Sequence, residues 1–197
     1  MSLITQKDLT FNFFNFKWKK IEKYNYYCNE MYYDWYLKRY SFNTMENLKK
    51  FLADKKFILD AGCGVGRDSG LFAKLNPKAK IIAIDQSYYA IKKAKNYLKN
   101  YSNCQAIQGD ILETEFENNF DFISCDQTLH HTPSPNETIK HLMKFLNSGG
   151  VLNFSVCRRK NEYRDFADDI MMNYCRTLTP EQLWDLSEEI TKFGKIL

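Results

Sequence analysis

Four aspartates, three closely spaced glycines and a histidine pair are the residues of this chain whose types and spacing can do chemistry. Ile58 to Asp68 read Ile-Leu-Asp-Ala-Gly-Cys-Gly-Val-Gly-Arg-Asp, an apolar run closed by Asp60 and followed by Gly62, Gly64 and Gly66. Glycine takes φ > 0 freely and carries no Cβ, so a small molecule can lie against the main chain there. Free N–H groups at the start of the helix that follows add a weakly positive pole. Asp85 closes a second apolar run, where a carboxylate can accept from the hydroxyls of a bound nucleoside. Asp110 follows Gly109, Asp126 follows the run Phe120 to Cys125, and His130 and His131 come shortly after. An imidazole that titrates near neutrality suits general-base work.

The glycine spacing separates two kinds of nucleotide site. A dinucleotide fingerprint reads G-x-G-x-x-G or A. Counted from Gly62 its sixth position is Arg67, and counted from Gly64 it is Ser69. Neither supplies the residue that brings helix and strand together under a pyrophosphate. The observed G-x-G-x-G, preceded by an acidic residue at a strand end, resembles motif I of the class I S-adenosylmethionine-dependent methyltransferases. Four further landmarks of that family follow in order: Asp85 after Lys80 to Ile84, Gly109-Asp110-Ile111 after Cys104 to Gln108, Phe120 to Asp126, and the glycine turn Leu146 to Leu152 before a fifth strand.

The resemblance implies S-adenosylmethionine as cofactor and a small molecule as methyl acceptor. It implies Asp60, Gly62, Gly64 and Gly66 around the methionine portion, Asp85 at the ribose, Asp110 with Ile111 at the adenine, Asp126 near the methionine end, and Gln86 as a further cofactor-binding residue. His130 and His131 follow the strand where acceptors bind in this family, so either is a candidate base; no metal is implied. Each residue also has a plain structural alternative. Asp60 and Asp126 can cap turns, Gly109-Asp110 is a common turn pair, and one or both histidines can simply pack. His141, on a predicted helix, is read as structural.

These residues need a scaffold, and the intervening sequence predicts one. Strands are expected near 57–60, 80–85, 104–108, 120–126 and 151–157, with helices at 67–75, 88–100 and 136–145 between them. Such alternation predicts an α/β fold, a doubly wound, mostly parallel sheet with right-handed crossovers, Rossmann-like in the sense of the methyltransferase family. Pro77 and the Pro133-Ser134-Pro135 segment punctuate helix boundaries. Beyond Cys157 the pattern gives Arg158-Arg159-Lys160 and two helices, 162–175 and 180–193, the second capped by Thr179 with Pro180 at its first position. No alternating β-branched segment remains for the last two strands of a full family domain. Helices or a second copy of the chain in a homodimer are therefore expected to cover the fifth strand's edge.

The predicted organisation is an aromatic-rich helical segment and lid at 1–56, a cofactor-binding core at 57–157, and a helical segment at 158–197, all in one domain. The first part crowds Phe11, Phe13, Phe14, Phe16, Trp18, Tyr24, Tyr26, Tyr27, Tyr32, Tyr33, Trp35, Tyr36, Tyr40 and Phe42 among Lys17, Lys19, Lys20, Lys23, Lys38 and Arg39. Such rings either pack helices on the sheet or form a stacking platform for single-stranded nucleic acid; packing is the favoured reading. With 28 basic and 24 acidic residues among 197, the net charge of +4 is too small to imply a nucleic-acid partner. The base-modifying signature of nucleic-acid methyltransferases is also missing: Cys125-Asp126-Gln127-Thr128 stands in its place. There is neither an apolar run of about 18 residues nor a leader pattern, and the six cysteines have no metal-like spacing. A cytoplasmic protein with no membrane partner and reduced, buried cysteines is expected. The alternative function is a non-catalytic module that keeps the cofactor pocket.

Overall fold

The structure, a computed structural model, describes residues 6–21, 30–157 and 162–194. Lys23, Tyr24, Tyr26, Tyr27 and Cys28, with Arg158, Arg159 and Lys160, lie outside the described residues. The chain divides into two compact units, residues 1–156 and 157–197.

In the first unit, five strands form one sheet: β1 (Phe57–Ala61), β2 (Lys80–Asp85), β3 (Cys104–Gln108), β4 (Phe120–Cys125) and β5 (Leu146–Phe154). The spatial order is β3-β2-β1-β4-β5, every pair parallel, and no further strand follows among the described residues. The chain reverses direction along the sheet between β3 and β4, which leaves a crevice at the carboxyl ends of β1 and β4. Side chains alternate across each strand. Ile58 and Phe122 therefore join Tyr36, Leu48, Leu52 and Phe72 on one face, while Leu59 and Ile123 join Ile84, Leu129 and Leu142 on the other.

Helices α4 (Arg67–Leu75), α5 (Tyr88–Leu98) and α6 (Pro135–Met143) make the crossovers. Ser87 caps α5 by accepting from the Ala90 N–H at 3.2 Å, and Ser134 caps α6 with Pro135 in its first turn. α5 and α6 stop about two residues short of the sequence expectation. The aromatic segment gives three helices among its described residues, α1 (Gln6–Lys20), α2 (Glu30–Arg39) and α3 (Met45–Leu52). Its rings divide by role. Tyr36 is buried against Phe72 and Phe122, Phe14 and Trp18 face a cavity, and Phe13 and Trp35 are exposed. α1 is docked on α5: Asn15 accepts from Ser87 at 3.1 Å, and the Lys93 ammonium donates to the carbonyls of Trp18 and Ile21 at the end of α1, where unpaired carbonyls favour a cation.

β5 begins five residues before its expected start and ends three before its expected close. The Gly149-Gly150 pair does not stop the pairing but bulges it: Phe120 faces Leu146 and Phe122 faces Val151, with the extra residues taken up by Gly149 at φ 76°. The cysteines also depart from the expectation. Cys63 and Cys125 are buried, but Cys104 and Cys175 are half-buried and Cys157 is exposed, all five as free thiols.

The second unit contains α7 (Glu162–Cys175) and α8 (Pro180–Gly194). Thr179 and Gln182 cap α8 reciprocally, side chain to backbone in both directions, at 3.3 and 2.9 Å. No described helix is long and apolar enough to cross a membrane.

Candidate functional site

The β1–α4 turn is tied to β2: the N–H groups of Gly62 and Cys63 both donate to the Ile84 carbonyl, at 2.8 and 2.9 Å. Gly62 has φ 82°, and a Cβ built on it would lie 2.2 Å from Thr128 Oγ1. A side chain there is excluded both by conformation and by the loop after β4. Gly62→Ala is therefore expected to cost about 2–4 kcal/mol of stability, combining left-handed strain with overpacking; denaturant unfolding of the two proteins measures it.

Above this turn lies a cavity of about 350 Å³ lined by residues from all the strand ends except that of β5, within the range of small-molecule sites. Asp85 is fixed at its edge by two backbone donors, Gly64 N–H at 2.9 Å and Ser87 N–H at 2.8 Å. Burial raises its pKa while these two N–H groups oppose the rise. Asp60 is 3% exposed and accepts from the Ser69 hydroxyl; burial, then the charge of Asp68, pushes its carboxyl well above the usual range. Asp110 accepts from Leu112 N–H at 2.9 Å and from Lys7 of α1 at 2.8 Å, with Ile111 buried beside it.

Asp126 is the most heavily engaged of these carboxylates. It accepts from Arg39 at 2.6 Å, Tyr40 at 3.0 Å, Ser155 at 3.0 Å and Arg67 at 3.2 Å. Arg67 in turn makes a two-pronged pair with Asp68, at 2.7 and 2.8 Å. The network holds α2, the start of α4 and the ends of β4 and β5 together. Composition alone gave no signal for Arg39, Tyr40, Arg67 or Ser155 here, because their partner lies 29 to 87 positions away.

The opposite wall comes from α1 and from the loop after β4, which contains a short 3-10 helix, Leu129–His131. His131 lines the cavity with its ring 4.6 Å from that of Phe14. Burial, then the neighbouring His130 and Lys17, pushes its pKa down to about 4. His130 lines an adjoining chamber of about 140 Å³; burial lowers its pKa too, and its Nδ1 is buried without a hydrogen-bond partner among the described residues. His141, by contrast, pairs with the Thr114 carbonyl at 3.0 Å away from the cavity lining.

Asp60, Gly62, Gly64, Asp85, Gln86, Asp110, Ile111, Asp126 and His131 thus converge on one cavity. Gly66 does not line it. It precedes α4 at φ 86°, a left-handed conformation that favours glycine whatever surrounds it, and a Cβ on it would also approach Leu98 Cδ1 at 2.9 Å. The α1 residues Lys7, Phe14, Lys17 and Trp18 also line the cavity; their sequence signal was only the density of rings. Among the described residues no cluster of three or more His, Cys, Asp or Glu is arranged to hold a metal.

A parallel sheet in this order, with a glycine turn after β1 and carboxylates at the ends of β1 to β4, defines the class I S-adenosylmethionine-dependent methyltransferase fold. The profile of the family described as a methyltransferase domain matches residues 52–196, and the chain belongs to that family. Among curated relatives, the trans-aconitate 2-methyltransferase of Escherichia coli O7:K1 (strain IAI39 / ExPEC) is 34% identical over 101 residues, 51% of this chain and 39% of the relative. The match thus spans about two-fifths of that relative's length. Among solved structures, the plantazolicin methyltransferase BpumL, in complex with a pentazolic desmethylPZN analog and SAH, is 25% identical with a TM-score of 0.59, over 76% of this chain and 57% of that one. The N-methyltransferase NodS from Bradyrhizobium japonicum WM9, in complex with S-adenosyl-L-homocysteine, has a TM-score of 0.57 at 21% identity, over 74% of this chain and 71% of that one; this likeness concerns the fold.

Proposed function

We propose that this chain binds S-adenosylmethionine in the cavity at the strand ends and transfers its methyl group to a small-molecule acceptor. One observation carries the reading: a cavity of about 350 Å³ whose floor is a turn that excludes a Cβ and whose rim presents Asp85, Asp110 and Ile111 together. S-adenosylmethionine, when bound, supplies a methyl on a sulfonium that is already activated toward displacement. The protein's own work is then mostly geometric, since orientation alone can contribute up to about 7–11 kcal/mol in well-aligned systems.

Asp85, pinned by Gly64 and Ser87, keeps acceptor capacity for ribose hydroxyls. Asp110 and Ile111 serve the adenine, one by accepting from an exocyclic amine and the other by apolar contact. The glycine turn, Asp60 and Asp126 surround the methionine end. α1 covers the cavity through Phe14 and Trp18, excluding water. For an acceptor that arrives protonated, His130 and His131 are the candidate bases; burial lowers the pKa of both, and His131, at about 4, is neutral at physiological pH but weakly basic.

The depressed pKa of His131 has a signed effect on stability. The unfolded chain takes up the proton near the ordinary 6.5, before the folded one does. The stabilising difference is present above about 6.5 and is lost as pH falls toward about 4. Melting temperatures at pH 7.5 and pH 4.5 should therefore fall further for the parent than for His131→Gln.

Calorimetric titration with S-adenosylmethionine and S-adenosylhomocysteine, followed by a transfer assay over a panel of small acceptors, tests the proposal. Binding with transfer is expected. Binding with no transfer to any acceptor favours a non-catalytic module, and no binding removes the reading altogether.

A further inference from the structure

The two sides of the cavity carry different charge. Asp60, Asp68, Asp85, Asp110 and Asp126 all line it, and each already has a donor. Asp60 accepts from Ser69, Asp68 from Arg67, Asp85 from the Gly64 and Ser87 N–H groups, Asp110 from Lys7, and Asp126 from Arg39 and Arg67.

Lys17, in the last turn of α1, lines the same cavity and pairs with none of them. Its ammonium lies 5.4 Å from the centroid of the Phe14 ring and 5.3 Å from that of Trp18. Among the described residues it has no hydrogen-bonding or ion-pairing partner, and burial lowers its pKa with nothing to offset the fall. Ring faces replace only part of the hydration a half-buried ammonium gives up. An anion arriving from outside the chain would replace the rest.

The neighbouring surface suits the same guest. The chamber beside the cavity is lined by Lys7, Thr10, His130, His131, Thr132 and Pro133, without a carboxylate to repel an anion. Burial lowers the pKa of both imidazoles, so neither competes as a cation for the guest. Lys17 also lies outside residues 52–196, the part matched by the family profile.

We propose that the methyl acceptor carries a carboxylate, which Lys17 holds against the α1 wall while the reacting atom lies beside His130 and His131. This rests on the cavity being the S-adenosylmethionine site. The donor's own methionine carboxylate offers the same chemistry, so the two sources must be told apart.

The probes are benzoate, fumarate and trans-aconitate, with benzamide and fumaramide as uncharged controls. Each is titrated calorimetrically into the parent, Lys17→Met and Lys17→Arg, free and saturated with S-adenosylhomocysteine. At least one acid should bind the saturated parent and its amide should not. Lys17→Met should weaken that acid by about tenfold or more, with Lys17→Arg keeping most of the affinity and S-adenosylhomocysteine affinity hardly altered. Three results overturn the proposal: no acid binding at millimolar concentration, acid binding indifferent to Lys17→Met, or a loss in Lys17→Met that falls on S-adenosylhomocysteine instead. Failure of S-adenosylhomocysteine to bind the parent is a separate outcome, which removes the cofactor reading and this proposal with it.

Discussion

Replacing Asp126 by alanine is expected to lower the melting temperature of the 1–156 unit by roughly 6–12 °C. The carboxylate is 4% exposed and receives two guanidinium groups, a phenol and a serine hydroxyl. Removing one partner of a buried ionic network leaves the rest desolvated and unpaired, which typically costs about 3–5 kcal/mol. The lower end applies, at about 3 kcal/mol, because Arg67 keeps its two-pronged pair with Asp68. For a chain of this length each kcal/mol is worth about 2–4 °C. Asp126→Asn, which keeps an acceptor oxygen but not the charge, should fall between parent and alanine. Thermal unfolding followed by near-ultraviolet circular dichroism reads both. An alanine variant that melts with the parent would mean that the network contributes no net stability.

Asp85→Ala should weaken S-adenosylhomocysteine binding by about tenfold to a hundredfold. A hydrogen bond to a charged group contributes about 1.5–3 kcal/mol, and about 1.4 kcal/mol corresponds to a factor of ten. The structure adds a second route to the same loss, because Asp85 also holds the N–H of Gly64 and thereby the shape of the glycine turn. Asp85→Asn separates the two: its amide oxygen can still accept from Gly64 or Ser87, so the turn is largely preserved while an ionic acceptor is lost. Affinity in the order parent, asparagine, alanine is expected by calorimetry. Equal affinity in all three would show that no ribose hydroxyl meets this carboxylate.

How much of this was legible beforehand depended on how local the cause was. α4 and β3 could be delimited to the residue, at Arg67–Leu75 and Cys104–Gln108, because glycine, proline and the change of periodicity lie at their own ends. The start of β5 was not, because Gly149-Gly150 looks like a turn and is instead a bulge whose cause is the facing strand: the Gly150 position sits against the Phe120 carbonyl. The resemblance puts Gly66 around the methionine portion, but it lies outside the cavity lining, at the left-handed entry to α4 beside Leu98, 32 positions away. The carboxylates and His131 could be found from strand ends alone. Lys17 and Trp18 could not, since α1 is apolar on several sides and nothing in its own pattern says which side meets the cavity. The Arg39–Asp126–Arg67 network was invisible for the same reason, its members being brought together only by the packing of α2 on the sheet.

Central to the proposed function is a cavity over the β1–α4 turn that receives an adenosyl thioether. Crystals grown with S-adenosylhomocysteine test it most directly. The expected density runs from Ile111 and Asp110 past Asp85 to the glycine turn, with the sulfur facing His131 and the α1 wall. Density for the ligand elsewhere, or a cavity filled by Trp18 and Phe14 with the ligand absent at saturating concentration, would contradict it.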